Sequence, residues 1–121
     1  MAHARRKFEK AKDNDLKRAE YVLKCMAKLY MIEREAKEKD LSSDQSKELR
    51  TEQSRPVLQE LEKWMKEQLP AVLPKSSIGQ AITYTLGLWN RLTRYTQNGQ
   101  VEIDNNLIEN SIRPVALGRR N

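Results

Sequence analysis

The stretch that decides the fold runs from Leu16 to Lys37 and reads LKRAEYVLKCMAKLYMIEREAK. Its apolar residues recur at every third or fourth position, which predicts an amphipathic helix with one face turned toward a core. The residues after Ile32 are mostly charged and predict an exposed end. Asp13-Asn14-Asp15 precedes the stretch and is a suitable cap for it. The predicted buried stripe consists of Leu16, Ala19, Leu23, Met26 and Tyr30, widened by Val22, Leu29 and Ile32.

The sequence on the carboxyl side predicts further helices, separated by caps and prolines. Ser42 with Gln45, and Ser77 with Gln80, have the spacing of a capping box. Pro56 either breaks or kinks the pattern, or occupies the first position of a new helix. Both tryptophans are expected in the core. The two apolar faces are Val57, Leu58, Leu61, Trp64 and Met65, then Ile78, Ile82, Thr85, Trp89 and Leu92.

Almost no β structure is expected. Val101–Ile103 is the one segment that reads as a strand, and three residues cannot form a sheet alone. Asn98-Gly99 is expected to end the helix before it. Ala4–Lys12 is short, basic and compatible with a helix. The fold class predicted is therefore mainly α, a small bundle of four or five helices.

Positive charge is concentrated at the two ends of the chain. The 121 residues carry a net charge of +6, and one third of them are charged. Residues 1–12 hold five Lys or Arg against one Glu, and residues 70–121 hold six against three, whereas residues 13–69 hold twelve against thirteen. A charge run is often only a solvated face. Clustered cations are also what a nucleic-acid backbone attracts, through counterion release.

Cys25 is the one cysteine, which excludes an intramolecular disulfide framework and a cysteine zinc site. This fits a reducing cytoplasmic setting. No apolar run reaches the roughly 20 residues of a membrane span, so no membrane partner is expected.

Two motifs at opposite ends of the chain resemble one family. The start reads Ala2-His3-Ala4-Arg5-Arg6-Lys7-Phe8, and the last eighteen residues, 104–121, read DNNLIENSIRPVALGRRN. Both resemble signatures of the insertion sequence 66 family of transposases, A-H-A-R-R-K-F and D-N-N-x-x-E-x-x-I-R-P-x-x-L-G-R-K-N. The stretch between them resembles the family along nearly its whole length.

The resemblance implies a role for Glu109. In the family this Glu is the third carboxylate of an Asp-Asp-Glu triad on a ribonuclease H-like fold, which holds two Mg²⁺ ions for phosphodiester hydrolysis and strand transfer. Both aspartates precede the first motif in the family, and only Met1 precedes it here. The chain is thus expected to be one partial domain that lacks most of the core sheet. Its predicted parts are a basic segment at 1–12, a helical insertion at 14–97 and a Glu-bearing helix with a basic tail at 101–121.

The residues expected to bind DNA phosphates lie in the same two motifs. They are Arg5, Arg6, Lys7, Arg113, Arg119 and Arg120. His3 is expected as a neighbour of the active site. The implied partners are transposon-end DNA and an oligomer with itself or with full-length transposase. With one triad carboxylate, the chain alone is expected to bind no Mg²⁺ tightly and to be inactive.

Other readings of these residues remain open. Glu109 also has capping-box spacing from Asn106, and it could form a helical ion pair with Arg113. At the level of the whole chain, the alternatives are a non-catalytic DNA-binding or protein-interaction module, or the remnant of a decayed transposase gene.

Overall fold

The computed structural model describes residues 1–104. Glu109, Arg113, Arg119 and Arg120, together with the predicted last helix, lie outside the described residues. Short 3₁₀ turns at Ala11–Asp13 and Leu69–Ala71 lie between helices, and a third at Arg94–Gln97 follows the last described helix. The α-helices of the described part are α1 (Ala2–Lys10), α2 (Leu16–Glu38), α3 (Ser43–Leu49), α4 (Arg55–Gln68), α5 (Ser77–Gly87) and α6 (Trp89–Leu92).

Four helices form a bundle around one core. Helix α1 packs against α2 and α5, and α4 also packs against α2 and α5, which closes a ring of four. The mainly α prediction is therefore confirmed for residues 1–104. The basic start of the chain is part of this bundle, because Met1, Ala4, Phe8 and Ala11 are all within 1% of full burial.

The buried face of α2 differs in part from the predicted stripe. Ala19, Val22, Met26 and Leu29 of the prediction are buried, but Leu16 is 53% exposed. Leu23 and Tyr30 pack against the edge of the core. Helices α1 and α4 both contact α2, so the fully buried residues lie on the side that these two helices cover. The cap is confirmed, since the Asp15 carboxylate accepts a hydrogen bond from the Arg18 amide at 3.2 Å.

Helices α3 and α4 are joined by one π-helical turn, Arg50–Ser54. The predicted capping box at Ser42 and Gln45 is confirmed in both directions. Pro56 lies in the first turn of α4, where its missing N–H costs no helical bond. The turn is wide because the Arg55 amide donates to the Arg50 carbonyl, five residues back.

Two predictions about local structure between residues 64 and 80 need correction. The cap of α5 is Ser76, one residue before the predicted Ser77, and its hydroxyl accepts from the Gly79 amide at 3.1 Å. Of the tryptophans, Trp89 is buried, but Trp64 is only half-buried. It stacks on Tyr21 with ring centroids 4.3 Å apart, so it covers the outside of the core.

The segment after α6 contains two further corrections. Val101–Ile103 is not a strand, because the described residues offer no strand to pair with; Val101 instead donates to the Asn98 carbonyl in a tight turn. Gly99 does not end the helix by a positive φ, since no described glycine has one. It is required by close approach: a Cβ there would lie 1.8 Å from the Ser43 carbonyl oxygen.

Candidate functional site

Helix α1 presents the cations of the first motif around an exposed ridge. Its buried residues recur at positions 1, 4, 8 and 11, so positions 6 and 10 face outward. Arg6 and Lys10 are accordingly exposed, while His3 is half-buried in the first turn. The ridge therefore carries positive charge on a rigid element that the core holds in place.

Two aromatic rings fix the cations on the flanks of α1. The Arg5 guanidinium lies 4.8 Å from the centroid of the Tyr30 ring of α2, and the Lys7 ammonium lies 4.7 Å from the Tyr84 ring of α5. Such cation–π contacts are worth about 0.5–1 kcal/mol where solvent reaches them. Arg5, Arg6 and Lys7 thus share one helix, but the first and the last are drawn to opposite sides of it.

Tyr30 also binds the first residue of the second motif. Its hydroxyl donates to a carboxylate oxygen of Asp104 at 2.6 Å, a distance typical of a charge-assisted bond. The Met1 amino group donates to the neighbouring Ile103 carbonyl at 3.4 Å. The two motifs, about 100 residues apart in sequence, therefore meet at Tyr30, with Arg5 above its ring and Asp104 at its hydroxyl.

A buried ion pair lies on the other side of the same segment. Arg50 is 5% exposed, and its guanidinium holds the Glu33 carboxylate with two hydrogen bonds of 3.0 and 2.6 Å. A third nitrogen, Nη1, donates to the carbonyls of Tyr95, Asn98 and Val101 at 2.7, 3.1 and 2.9 Å. Removing one partner of such a buried pair typically costs about 3–5 kcal/mol.

Sequence reasoning missed this pair, although a signal for each member was present. Glu33 continues the buried stripe of α2 at the same spacing, after Val22, Met26 and Leu29. Arg50 continues the buried face of α4 backward, through Ser54. A charged residue at the spacing of a helix's apolar face either lies at the solvent-exposed edge of that face or is buried with a partner of opposite charge.

Open recesses lie beside residues 99–104. One, of about 350 Å³, lies among Tyr30, Arg34, Glu102 and Asp104. Another, of about 280 Å³, adjoins Arg50 and Gly99. Their linings mix both signs of charge, so neither has the uniform field of a phosphate or cation pocket.

Four titratable groups have shifted pKa values, and each shift is away from pH 7. Burial raises the pKa of Tyr95, Tyr21 and the Cys25 thiol. The Arg18 guanidinium, hydrogen-bonded at 2.7 Å, lowers the pKa of Asp15. None of these four groups is therefore suited to proton transfer near pH 7.

The Tyr95 hydroxyl and the Ser54 hydroxyl are buried without a hydrogen-bond partner among residues 1–104. Burial raises the pKa of Tyr95, and the nearby Ser54 hydroxyl lowers it by a smaller amount. Burying a hydroxyl without a hydrogen bond costs folding free energy.

The described residues do not make a magnesium site. Within residues 1–104, no three His, Cys, Asp or Glu side chains are grouped to hold a metal ion. No catalytic step through Mg²⁺ is therefore assigned to them. In the same range, no helix is long and apolar enough to cross a bilayer.

Comparison with known proteins gives a family match over the whole chain. Residues 1–121 match the family described as Transposase IS66 family. Among similar proteins, Uncharacterized protein y4jD of Sinorhizobium fredii (strain NBRC 101917 / NGR234) is 33% identical over 122 residues, which cover 100% of this chain and 24% of that protein. Uncharacterized protein y4qI of the same organism is 37% identical over 122 residues, covering 99% and 22%.

The chain thus spans about a quarter of the length of the curated relatives it matches. No solved structure matches it.

Proposed function

The chain belongs to the IS66 family of transposases, and from this membership we propose that it is the part of a DNA transposase that carries the last catalytic carboxylate, Glu109. The remaining carboxylates and the ribonuclease H-like sheet would come from sequence outside these 121 residues. When bound, Mg²⁺ in such an enzyme stabilises charge on the oxygens that attack and leave phosphorus. The setting proposed is the cytoplasm, where transposon-end DNA is accessible.

The observation that carries this proposal is the meeting of the two family motifs at Tyr30. Arg5 of the first motif and Asp104 of the second contact the same side chain. Glu109 follows Asp104 by five residues in the sequence. This supports a site in which the cations of α1 bind the phosphates of the DNA whose backbone the Glu109 carboxylate helps to cut.

The test is transposition by the full-length transposase that contains this segment. Glu109→Gln removes one anionic metal ligand at constant size, so we expect transposition to be lost while affinity for transposon-end DNA stays within about twofold. Glu102→Gln is the matched control, because Glu102 is exposed and pairs only loosely with Lys37 at 3.6 Å. Wild-type transposition by Glu109→Gln would refute the assignment.

A second candidate function is a non-catalytic DNA-binding module. Residues 1–104 enclose their own core, and the exposed cations of α1 stand on a helix that this core anchors. Phosphate contacts give affinity without reading sequence. We therefore expect weak binding to duplex DNA with little sequence preference.

Salt dependence measures this binding. If about four to six cations contact phosphates, log K falls against log salt with a slope near −4 to −5. Replacing Arg6 and Arg119 by Gln should reduce the steepness by about 2, since each contact contributes about 0.9. Replacing Lys47 and Lys63, exposed residues of α3 and α4, should leave the slope unchanged. Equal effects of the two pairs would mean that binding follows net charge alone.

A further inference from the structure

Buried Arg50 has no role in the function proposed above, yet its guanidinium makes two hydrogen bonds to Glu33 and three to backbone carbonyls. A guanidinium removed from water needs a partner for its charge and acceptors for its N–H groups. Glu33 supplies the charge partner through a bidentate pair. The Nη1 donors go to three backbone carbonyls that all come from one short stretch, residues 95–101.

The three carbonyls belong to the last 3₁₀ turn, Arg94–Gln97, and to the irregular segment that follows it. Tyr95, Asn98 and Val101 lie three residues apart, and the backbone between them wraps around Nη1. After this turn, the Val101 amide donates to the Asn98 carbonyl and the Gln100 amide donates to the Asn98 side chain. Arg50 is therefore the side chain that ties the end of the 3₁₀ turn to the residues that follow it, up to Val101.

This segment leads directly into the second motif. Three residues after Val101, Asp104 is held by the Tyr30 hydroxyl. Arg50 thus holds the backbone up to Val101, and Tyr30 holds Asp104. Glu109 follows Asp104 by five residues in the sequence. Tyr30, which holds Asp104, and Glu33, which holds Arg50, lie about one turn apart on α2.

We propose that Arg50, clamped by Glu33, is a positioning residue that sets where the backbone enters the Glu109 segment. The proposal rests on the function proposed for Glu109. Lysine cannot replace Arg50, because an ammonium is a compact donor that cannot span a carboxylate and three carbonyls in a fixed plane. The conservative Arg50→Lys exchange therefore separates geometry from charge.

The first experiment measures amide hydrogen exchange by NMR in the 121-residue chain. In Arg50→Lys we expect exchange of the Val101 amide to accelerate at least tenfold relative to the Met26 amide in the middle of α2. Arg55→Lys is the matched control, an exposed arginine five residues along the same helical run, and should change neither amide. Unchanged exchange at Val101, or equal acceleration at both amides, would overturn the proposal.

A milder variant covers the case in which Arg50→Lys does not fold. Glu33→Gln leaves the guanidinium and all three carbonyls in place and weakens only the clamp. We expect about threefold faster exchange at Val101, with Met26 unaffected. Unchanged exchange of the Val101 amide in Glu33→Gln would also overturn the proposal.

The second experiment measures transposition by the full-length protein. Arg50→Lys should lower the rate at least tenfold with DNA affinity within twofold, and Arg55→Lys should keep both. If Glu109→Gln is inactive but Arg50→Lys is fully active, the positioning role is wrong and the proposed function stands. If Glu109→Gln is active, the proposed function fails, whatever Arg50 does to the backbone at Val101.

Discussion

Phe8 is the side chain whose removal most directly tests whether the basic helix belongs to the folded core. It is fully buried, on the face of α1 that packs against α2 and α5. A buried Phe→Ala change typically costs about 3–5 kcal/mol through lost transfer energy and the cavity left behind. A domain of this size is stable by only about 5–15 kcal/mol, so Phe8→Ala should remove a large share of the free energy of unfolding.

Urea denaturation followed by far-UV circular dichroism measures this loss. With a slope near 2 kcal/mol/M, within the usual range, the midpoint should fall by about 2 M. Phe8→Leu should cost about 1.5 kcal/mol or less, because it nearly conserves volume. Arg6→Ala, on the exposed side of α1, should change stability by no more than about 0.5 kcal/mol. A cost for Phe8→Ala as small as that of Arg6→Ala would show that α1 is not packed in solution.

Two glycines should respond to alanine with opposite signs in the same urea assay. Gly99→Ala would press a Cβ into the Ser43 carbonyl and should destabilise the fold by more than about 1 kcal/mol. A Cβ at Gly87 meets nothing within 4 Å, so Gly87→Ala should stabilise the fold by about 0.4–1 kcal/mol. The same sign for both variants would contradict the packing of residue 99. Asp15→Ala should cost about 0.5–2 kcal/mol at pH 7 through loss of the α2 cap. Because Arg18 lowers the folded-state pKa of Asp15 from its ordinary 3.8, that cost should persist above pH 3.8 and shrink as pH falls through the folded-state value; a cost that stays constant down to pH 2 would argue against the ionised cap.

Helix positions and caps were largely predictable from the sequence because they depend on local spacing. The capping box at Ser42 and the boundary at Asp15 follow from hydrogen bonds made within three residues. The edges of the buried face of α2 were predicted less well than its centre, since they depend on which helices pack against it. Leu16 is apolar and in register, yet no neighbour covers it.

The features of the candidate site that the sequence did not reveal are long-range contacts. Tyr30 and Asp104 are separated by 74 residues, and Arg50 reaches carbonyls 45 to 51 residues away. A backbone carbonyl has no sequence signature, so the acceptors of Arg50 could not be inferred from residue types. The cations of α1 were recognised as a group, but their division between the Tyr30 and Tyr84 rings depends on the order of helices around the bundle.

The wide turn at Arg50–Ser54 has a consequence for how this region tolerates insertions and deletions. Ser46, Arg50, Ser54 and Leu58 are all buried at intervals of four, whereas in a uniform α-helix three such steps would turn the face by about 120°. The extra residue in the turn absorbs part of that drift and keeps Arg50 and Leu58 on one side. The exposed residues 51–53 therefore matter more for their number than for their identity. A one-residue deletion among them would turn Arg50 out of register with α4, whereas most substitutions there, proline excepted, should cost little.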